Sequence, residues 1–140
     1  MPIETITGEP PEKYDYCIDE LGSAAEFQQK VLELQKPLIL DCYADWCKPC
    51  KQLTPVLENL TRQYAGKFHL LKVNIDQNQA VAQALNVKSI PALFLFHKGQ
   101  VLDSMTGIDI DKLEVMVSTA LKLDDESRDP APLVKILSEA

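Results

Sequence analysis

The sequence predicts an α/β protein in which a central mixed five-stranded sheet carries helices on both faces. Three observations lead there. Apolar runs of strand length alternate with segments of helical period along most of the chain. The last two such runs are separated only by Lys98-Gly99. The stretch Cys47-Lys48-Pro49-Cys50 falls where an apolar run hands over to a helical pattern. Such alternation implies parallel pairing with right-handed crossovers in the first half, closed by an antiparallel hairpin.

Composition sets the bounds. The 140 residues are one domain's worth of chain, enough to bury roughly two-thirds of the unfolded surface around one core. Apolar residues at 46% and charged residues at 25% are ordinary globular values. No stretch approaches the roughly 20 apolar residues of a membrane span. A net charge of −7, from 21 acidic and 14 basic residues with no basic cluster, argues against nucleic acid and anionic membranes as partners. The N-terminus has neither the layout of a secretory signal nor that of a transit peptide. The expected location is therefore the cytoplasm, or an organelle if a leader has been removed. Four cysteines with one close pair fit a reducing compartment, where such a pair does redox or metal chemistry rather than stapling.

Taken in order, residues 1–12 hold Pro2, Pro10 and Pro11 and read as a flexible leader. Tyr14-Asp15-Tyr16-Cys17-Ile18 is short, aromatic and β-branched, and reads as an edge strand. Ser23 with Glu26 three residues later forms a capping-box pattern, and Phe27, Val31, Leu32 and Leu34 follow at helical spacing up to Pro37. Leu38 to Ala44 is nearly continuous apolar sequence, as in a strand covered on both faces, and Asp41 alone breaks it. A helix follows from about Cys47 to Tyr64, with Leu53, Val56, Leu57 and Leu60 on its apolar stripe and Pro55 inside it. Phe68 to Ile75 is a further strand, and Ala80 to Leu85 a short helix. Ala92 to His97 and Gln100 to Met105 make the hairpin around Gly99. Asp109 or Asp111 starts the last helix. Beyond Leu123 the chain turns acidic and proline-containing, through Asp124 to Pro132, and ends in a small apolar stripe at Leu133, Val134, Ile136 and Leu137. The predicted organisation is thus a leader at 1–12, a domain at 13–123, and a linker with a short C-terminal helix at 124–140.

The chemistry centres on the close cysteine pair. Unpaired amides at a helix start, together with the helix dipole, favour the thiolate of Cys47, and Lys48 adds a positive charge beside it. Cys47 is then the nucleophile on a disulfide and Cys50 the resolving thiol, with Pro49 stiffening the turn between them. Cys47 is expected to be exposed and Cys50 shielded. The other reading of Cys-x-x-Cys is a zinc half-site. A closed zinc site needs four ligands, and Cys17, Cys42, His69 and His97 show no ligand spacing, so no metal is assigned. Asp41 either faces water near a strand end or, desolvated and with a raised pKa, accepts the Cys50 proton. Lys72, in the neighbouring strand, is either its partner or a surface lysine with a buried stem. Ile90-Pro91 is either a simple strand start or a cis bond in a tight turn.

These residues together resemble the thioredoxin family. Asp41 looks like its buried aspartate, Trp46-Cys47-x-Pro49-Cys50-Lys51 like its active site, and Pro55 like its helix kink. Lys72 looks like the lysine beside the buried acid, Ile90-Pro91 like its cis-proline facing the disulfide, and Gly99 and Gly107 like its glycines in the last hairpin and before the last helix. The resemblance covers about residues 13–122. It implies the thioredoxin fold, with Trp46, Lys48, Pro49, Ile90, Pro91 and Gly107 forming the surface that holds an extended substrate strand beside Cys47. It also implies a monomeric protein-disulfide reductase needing no cofactor of its own, acting on disulfide-containing client proteins and receiving electrons from a thioredoxin reductase or equivalent donor. Lys48 stands where the family usually has glycine, and Cys42 where it usually has an aromatic. Cys17 and Cys42 both read as buried structural residues. Because thioredoxin-like domains are also fused to helical repeats in chaperone-type proteins, the alternative function is a binding adaptor in which the dithiol is secondary.

Overall fold

Six consecutive residues without an exposed side chain, Leu38 to Tyr43, lie at the centre of the molecule, and the other elements are arranged around them. A computed structural model describes residues 17–32, 34–64 and 66–128. The leader at 1–12, the Tyr14-Asp15-Tyr16 part of the first strand and the short helix expected after Pro130 lie outside the described residues. The element order is β1 (Ile18–Glu20), α1 (Ala24–Phe27) continuing as a π-helix (Gln28–Leu32), β2 (Leu38–Tyr43), α2 (Lys48–Gln63), β3 (His69–Asn74), α3 (Gln79–Ala84), β4 (Ala92–His97), β5 (Gln100–Thr106) and α4 (Ile110–Arg128).

The five strands form one sheet in the order β1-β3-β2-β4-β5. The β1–β3 and β2–β3 pairs are parallel, whereas β2–β4 and β4–β5 are antiparallel, so the sheet is mixed as expected. Side chains alternate across a strand, and that alternation assigns each helix its face. Ile39, Leu70, Leu93 and Leu95 point to the side covered by α2 and α4 and meet Leu57 and Met116 there. Leu38, Leu40, Leu71 and Phe96 point to the other side and meet Val31 and Val81, from the π-helix and α3. Each fully buried aliphatic or aromatic side chain contributes about 1.5–3 kcal/mol over its exposed state. By the same alternation Asp41 faces the α2 side with Ile39.

The hairpin turn has Lys98 at φ 54° and Gly99 at φ 84°. Both values are left-handed, as a two-residue turn matched to strand twist requires, and glycine meets that at no steric cost. Asp109 caps α4 by accepting the Lys112 amide at 3.1 Å.

Four expectations are corrected. Among the described residues the first strand is Ile18–Glu20, paired with Leu70, Leu71 and Lys72 of β3, so it runs two residues past the expected end at Ile18. The segment after Ser23 is α-helical for only one turn before widening, and neither bond of the capping box is made. Glu26 reaches back to the Gly22 amide at 3.1 Å, while the Ser23 hydroxyl makes no cap. On α2 the buried stripe is Cys50, Leu53, Leu57 and Thr61; Val56 is 42% exposed. The acidic stretch read as the start of a linker instead continues α4 to Arg128. Asp124 is buried there, and its Oδ1 accepts from Lys36 Nζ at 2.7 Å.

Candidate active site

The site forms where β2 ends and α2 begins. After Tyr43 the chain turns through Asp45 and Trp46, and Cys47 occupies the N-cap of α2 in an extended conformation, φ −91° and ψ 107°. Its side chain does what a capping serine oxygen does elsewhere: Sγ accepts the backbone N–H of Cys50 at 3.2 Å. Pro49 falls at the start of the helix, where a missing N–H costs nothing. Cys47 and Cys50 are joined in a disulfide, with Cα atoms 5.3 Å apart. An amide aimed at Sγ and the positive end of the helix both favour the thiolate that appears when this bond is reduced.

Burial separates the two sulfurs less than expected. Cys47 is 4% and Cys50 1% exposed, so the notion of an open Cys47 is corrected: in the disulfide form it is buried. Lys48 and Pro49 are exposed on that turn. Ile90, Ile75 and Tyr43 pack against the Ala44–Cys47–Cys50 cluster.

Beside the disulfide, the Ile90-Pro91 bond is cis. The Pro91 carbonyl accepts the Gly107 amide at 2.8 Å, which ties the loop before β4 to the end of β5. Gly107 has φ 76° and no atom within 4 Å of where a Cβ would sit, so it leaves open space and needs a conformation that favours glycine. Trp46 is 69% exposed, and its indole N–H donates to Asp76 Oδ2 at 2.9 Å. Trp46, Ile75, Val87, Lys88, Ser89 and Ile90 line a cleft of about 340 Å³ next to the cysteines. Asp76, Lys88 and Ser89 are thus site-adjacent residues that sequence reasoning missed. Asp76 follows β3, far from the cysteines in sequence, and no motif marked it.

Asp41 is fully buried. Its Oδ2 accepts the Thr54 hydroxyl at 2.8 Å, and its Oδ1 has no partner. Burial pushes the carboxyl up from 3.8 to about 6, against the lowering effects of the Thr54 hydrogen bond and the Lys72 charge. The partnership expected between Lys72 and Asp41 is corrected in its geometry. Lys72 lies opposite Asp41 in register, yet its ammonium bonds Glu58 Oε2 at 2.9 Å and stands 3.9 Å from Glu20 Oε1, so it acts on Asp41 only through space. Glu20 also accepts from the Tyr43 hydroxyl at 2.7 Å. A helical residue does reach Asp41, but it is Thr54. A second cleft, of about 270 Å³, is lined by Tyr43, Cys50, Lys51, Thr54, Pro55 and Lys72 among others.

The remaining cysteines are structural in placement. Cys42 is buried and its thiol is pushed up to about 12, chiefly by that burial. Cys17 is buried and accepts the Gly66 amide at 3.3 Å. Among the described residues no group of three or more His, Cys, Asp or Glu is placed to hold a metal ion.

Known proteins are similar to this chain in sequence and in fold. The Thioredoxin family model matches residues 20–119. Thioredoxin 1 of a Nostoc species is 41% identical over 81 residues, spanning 58% of this chain and 76% of the relative. The thioredoxin of Haemophilus influenzae is 42% identical over 83 residues, spanning 59% and 78%. Among solved structures, Plasmodium falciparum thioredoxin superposes with a TM-score of 0.67 at 27% identity, over 72% of this chain and 97% of that one. Malassezia sympodialis thioredoxin gives the same TM-score at 28% identity, over 74% and 93%. A disulfide at the first turn of α2, in a sheet of this order and a sequence this close to those relatives, leaves one assignment: the chain belongs to the thioredoxin family and is a protein-disulfide reductase working by thiol–disulfide exchange.

Proposed function

We propose that Cys47 is the attacking thiol and Cys50 the resolving one, with Asp41 as the proton acceptor for Cys50. The observation that carries the assignment is the N-cap geometry. Cys47 Sγ receives an amide at the helix start, whereas Cys50 lies one turn inside α2 on its buried stripe. The reduced protein attacks a client disulfide through Cys47 to give a mixed disulfide. Cys50 then displaces the client as a thiolate and re-forms the Cys47–Cys50 bond. The family implies that a thioredoxin reductase returns the electrons.

Trp46, Lys48, Pro49, Ile90, Pro91 and Gly107 form the client surface in this reading. The exposed indole, the cleft between Trp46 and Ile90, and the open space beside Gly107 support it, since an extended strand needs a wall, a floor and room for its backbone. The protein acts as a monomer in the cytoplasm and takes no nucleic acid, consistent with its −7 charge. Among the described residues, no helix is long and apolar enough to cross a membrane.

Insulin reduction by dithiothreitol tests the activity. The protein should accelerate it, and an acceleration that is absent, or that survives Cys47→Ser, would end this reading in favour of a binding adaptor. Lys48 carries a smaller prediction. Its charge favours the reduced thiolate form, so Lys48→Gly should shift the potential of the 47/50 couple to a more negative value, by on the order of 10–20 mV at low salt. Equilibration against a glutathione buffer reads the shift, and an unchanged potential removes Lys48 from the tuning of the site.

A further inference from the structure

Asp41 has no surface of its own, so a proton reaching it needs a route. The carboxyl is fully buried, and the cleft beside Cys50 is lined by Thr54. Thr54 is the residue that meets both: its hydroxyl donates to Asp41 Oδ2 at 2.8 Å, and the residue lines the cleft. Cys50 and Thr54 are also i and i+4 on α2, which places them as neighbours on one helix face. A hydroxyl donates one proton and accepts on two lone pairs, so it can receive a proton as it passes its own along.

We propose that Thr54 is the relay by which the Cys50 proton reaches Asp41, a positioning residue for the resolving step; this rests on Asp41 being the acceptor for Cys50. In that step Cys50 Sγ bonds to Cys47 Sγ, the Cys47–client sulfur bond breaks, and the electron pair leaves on the client sulfur. The client disulfide is thereby reduced by two electrons and the Cys47–Cys50 pair oxidised. The Cys50 thiol proton passes to Thr54 Oγ1, directly or across a water in the cleft, as the Thr54 hydroxyl proton passes to Asp41 Oδ2. Threonine ends neutral with its hydroxyl turned. Asp41 later returns the proton by the reverse path.

The charged groups around this path are few. Lys72 on β3, Glu58 on α2 and Glu20 on β1 act on Asp41 electrostatically, while its β4 neighbour Leu93 is apolar. Lys51 and Asp45 border the cleft itself. Lys72 is held by Glu58, so it does not substitute for the hydroxyl at the Asp41 oxygen.

The experiment is single-turnover reduction of a protein disulfide by the prereduced full chain between pH 5 and 9. It compares wild type, Asp41→Asn, Thr54→Val, Thr54→Ser and the Asp41→Asn/Thr54→Val double variant. In the relay, Thr54→Val lowers the plateau rate about tenfold or more. Thr54→Ser stays within about twofold of wild type, and the double variant is no slower than Asp41→Asn alone. Thr54→Ala gives the same reading should valine disturb the helix. A Thr54→Val plateau equal to wild type, even with its pH limb displaced, overturns the relay, because a hydrogen bond that only stabilises the carboxylate moves the limb and not the plateau. Asp41→Asn slowing Thr54→Val as much as it slows wild type overturns it as well. If Asp41→Asn alone is as fast as wild type, the acceptor role and the relay fall together. A slow Asp41→Asn beside a fast Thr54→Val removes the relay only.

Discussion

Asp41→Asn is expected to make the oxidised protein more stable at pH 7 by about 3 kcal/mol, and to leave its stability unchanged below about pH 4. The carboxyl titrates at 3.8 in the unfolded chain and near 6 in the folded one. Between those values the folded state holds the extra proton, so stability falls as pH rises through the window from about 4 to 6. Above it the whole difference is a cost, and about two pKa units correspond to roughly 3 kcal/mol. Desolvation is the leading cause, so a neutral amide of the same shape removes most of it, while its oxygen still accepts the Thr54 hydroxyl. In thermal melts the gain should appear as roughly 6–12 °C at pH 7 for a domain of this size. Melts at pH 3.5 should coincide. A gain of equal size at both pH values would mean that asparagine packs better and that ionisation of Asp41 has no part in it. On this expectation the ionised carboxyl costs stability at pH 7, in keeping with the proton-acceptor role proposed for it.

Cys50→Ser should reduce catalytic turnover of protein disulfides to near zero while leaving the first attack intact. Cys47 keeps the α2 N-cap position and the amide of residue 50, and a serine there still presents that N–H. The variant should therefore form the mixed disulfide and stop, since serine cannot displace the client. Mass spectrometry after mixing with an oxidised client should show the covalent adduct accumulating at about one per chain. Release with dithiothreitol would confirm that the link is a disulfide. An adduct that fails to form would show that Cys47 needs the Cys50 thiol for its own activation. An adduct on Cys50 in Cys47→Ser, at a comparable rate, would reverse the two roles. Cys50 on the buried stripe argues against that reversal, because a thiolate must reach the client sulfur to attack it.

How much of this was legible in the chain depends on the range of the interaction. β2 was clear because an apolar run covered on both faces has a local signature, and all six of its residues avoid exposure. The Lys98-Gly99 turn was clear for the same reason: left-handed backbone at a hairpin is a local demand. The first strand was not clear, since three residues at a sheet edge are chosen by the β3 partner they bond. Nor was the continuation of α4 to Arg128. Its acidic composition reads as solvated, yet Asp124 is buried against Lys36, 88 residues earlier in the chain.

The site divides in the same way. From the sequence came the cysteine pair at a helix start, the anomalous Asp41 in a buried strand and the proline before β4. These residues are conspicuous because each breaks a local pattern or makes one. Tertiary structure decided which groups they meet: Thr54 rather than Lys72 on Asp41, Glu58 on Lys72, and Asp76 on Trp46. None of the three newly met groups, Thr54, Glu58 and Asp76, carries a local signal in the sequence. Register aligns Lys72 with Asp41, but the direction of a long flexible side chain follows the nearest competing charge, and that charge is brought by a helix crossing the sheet. Residue type and period are properties of the chain, whereas hydrogen-bond partners depend on which faces the packed layers bring together.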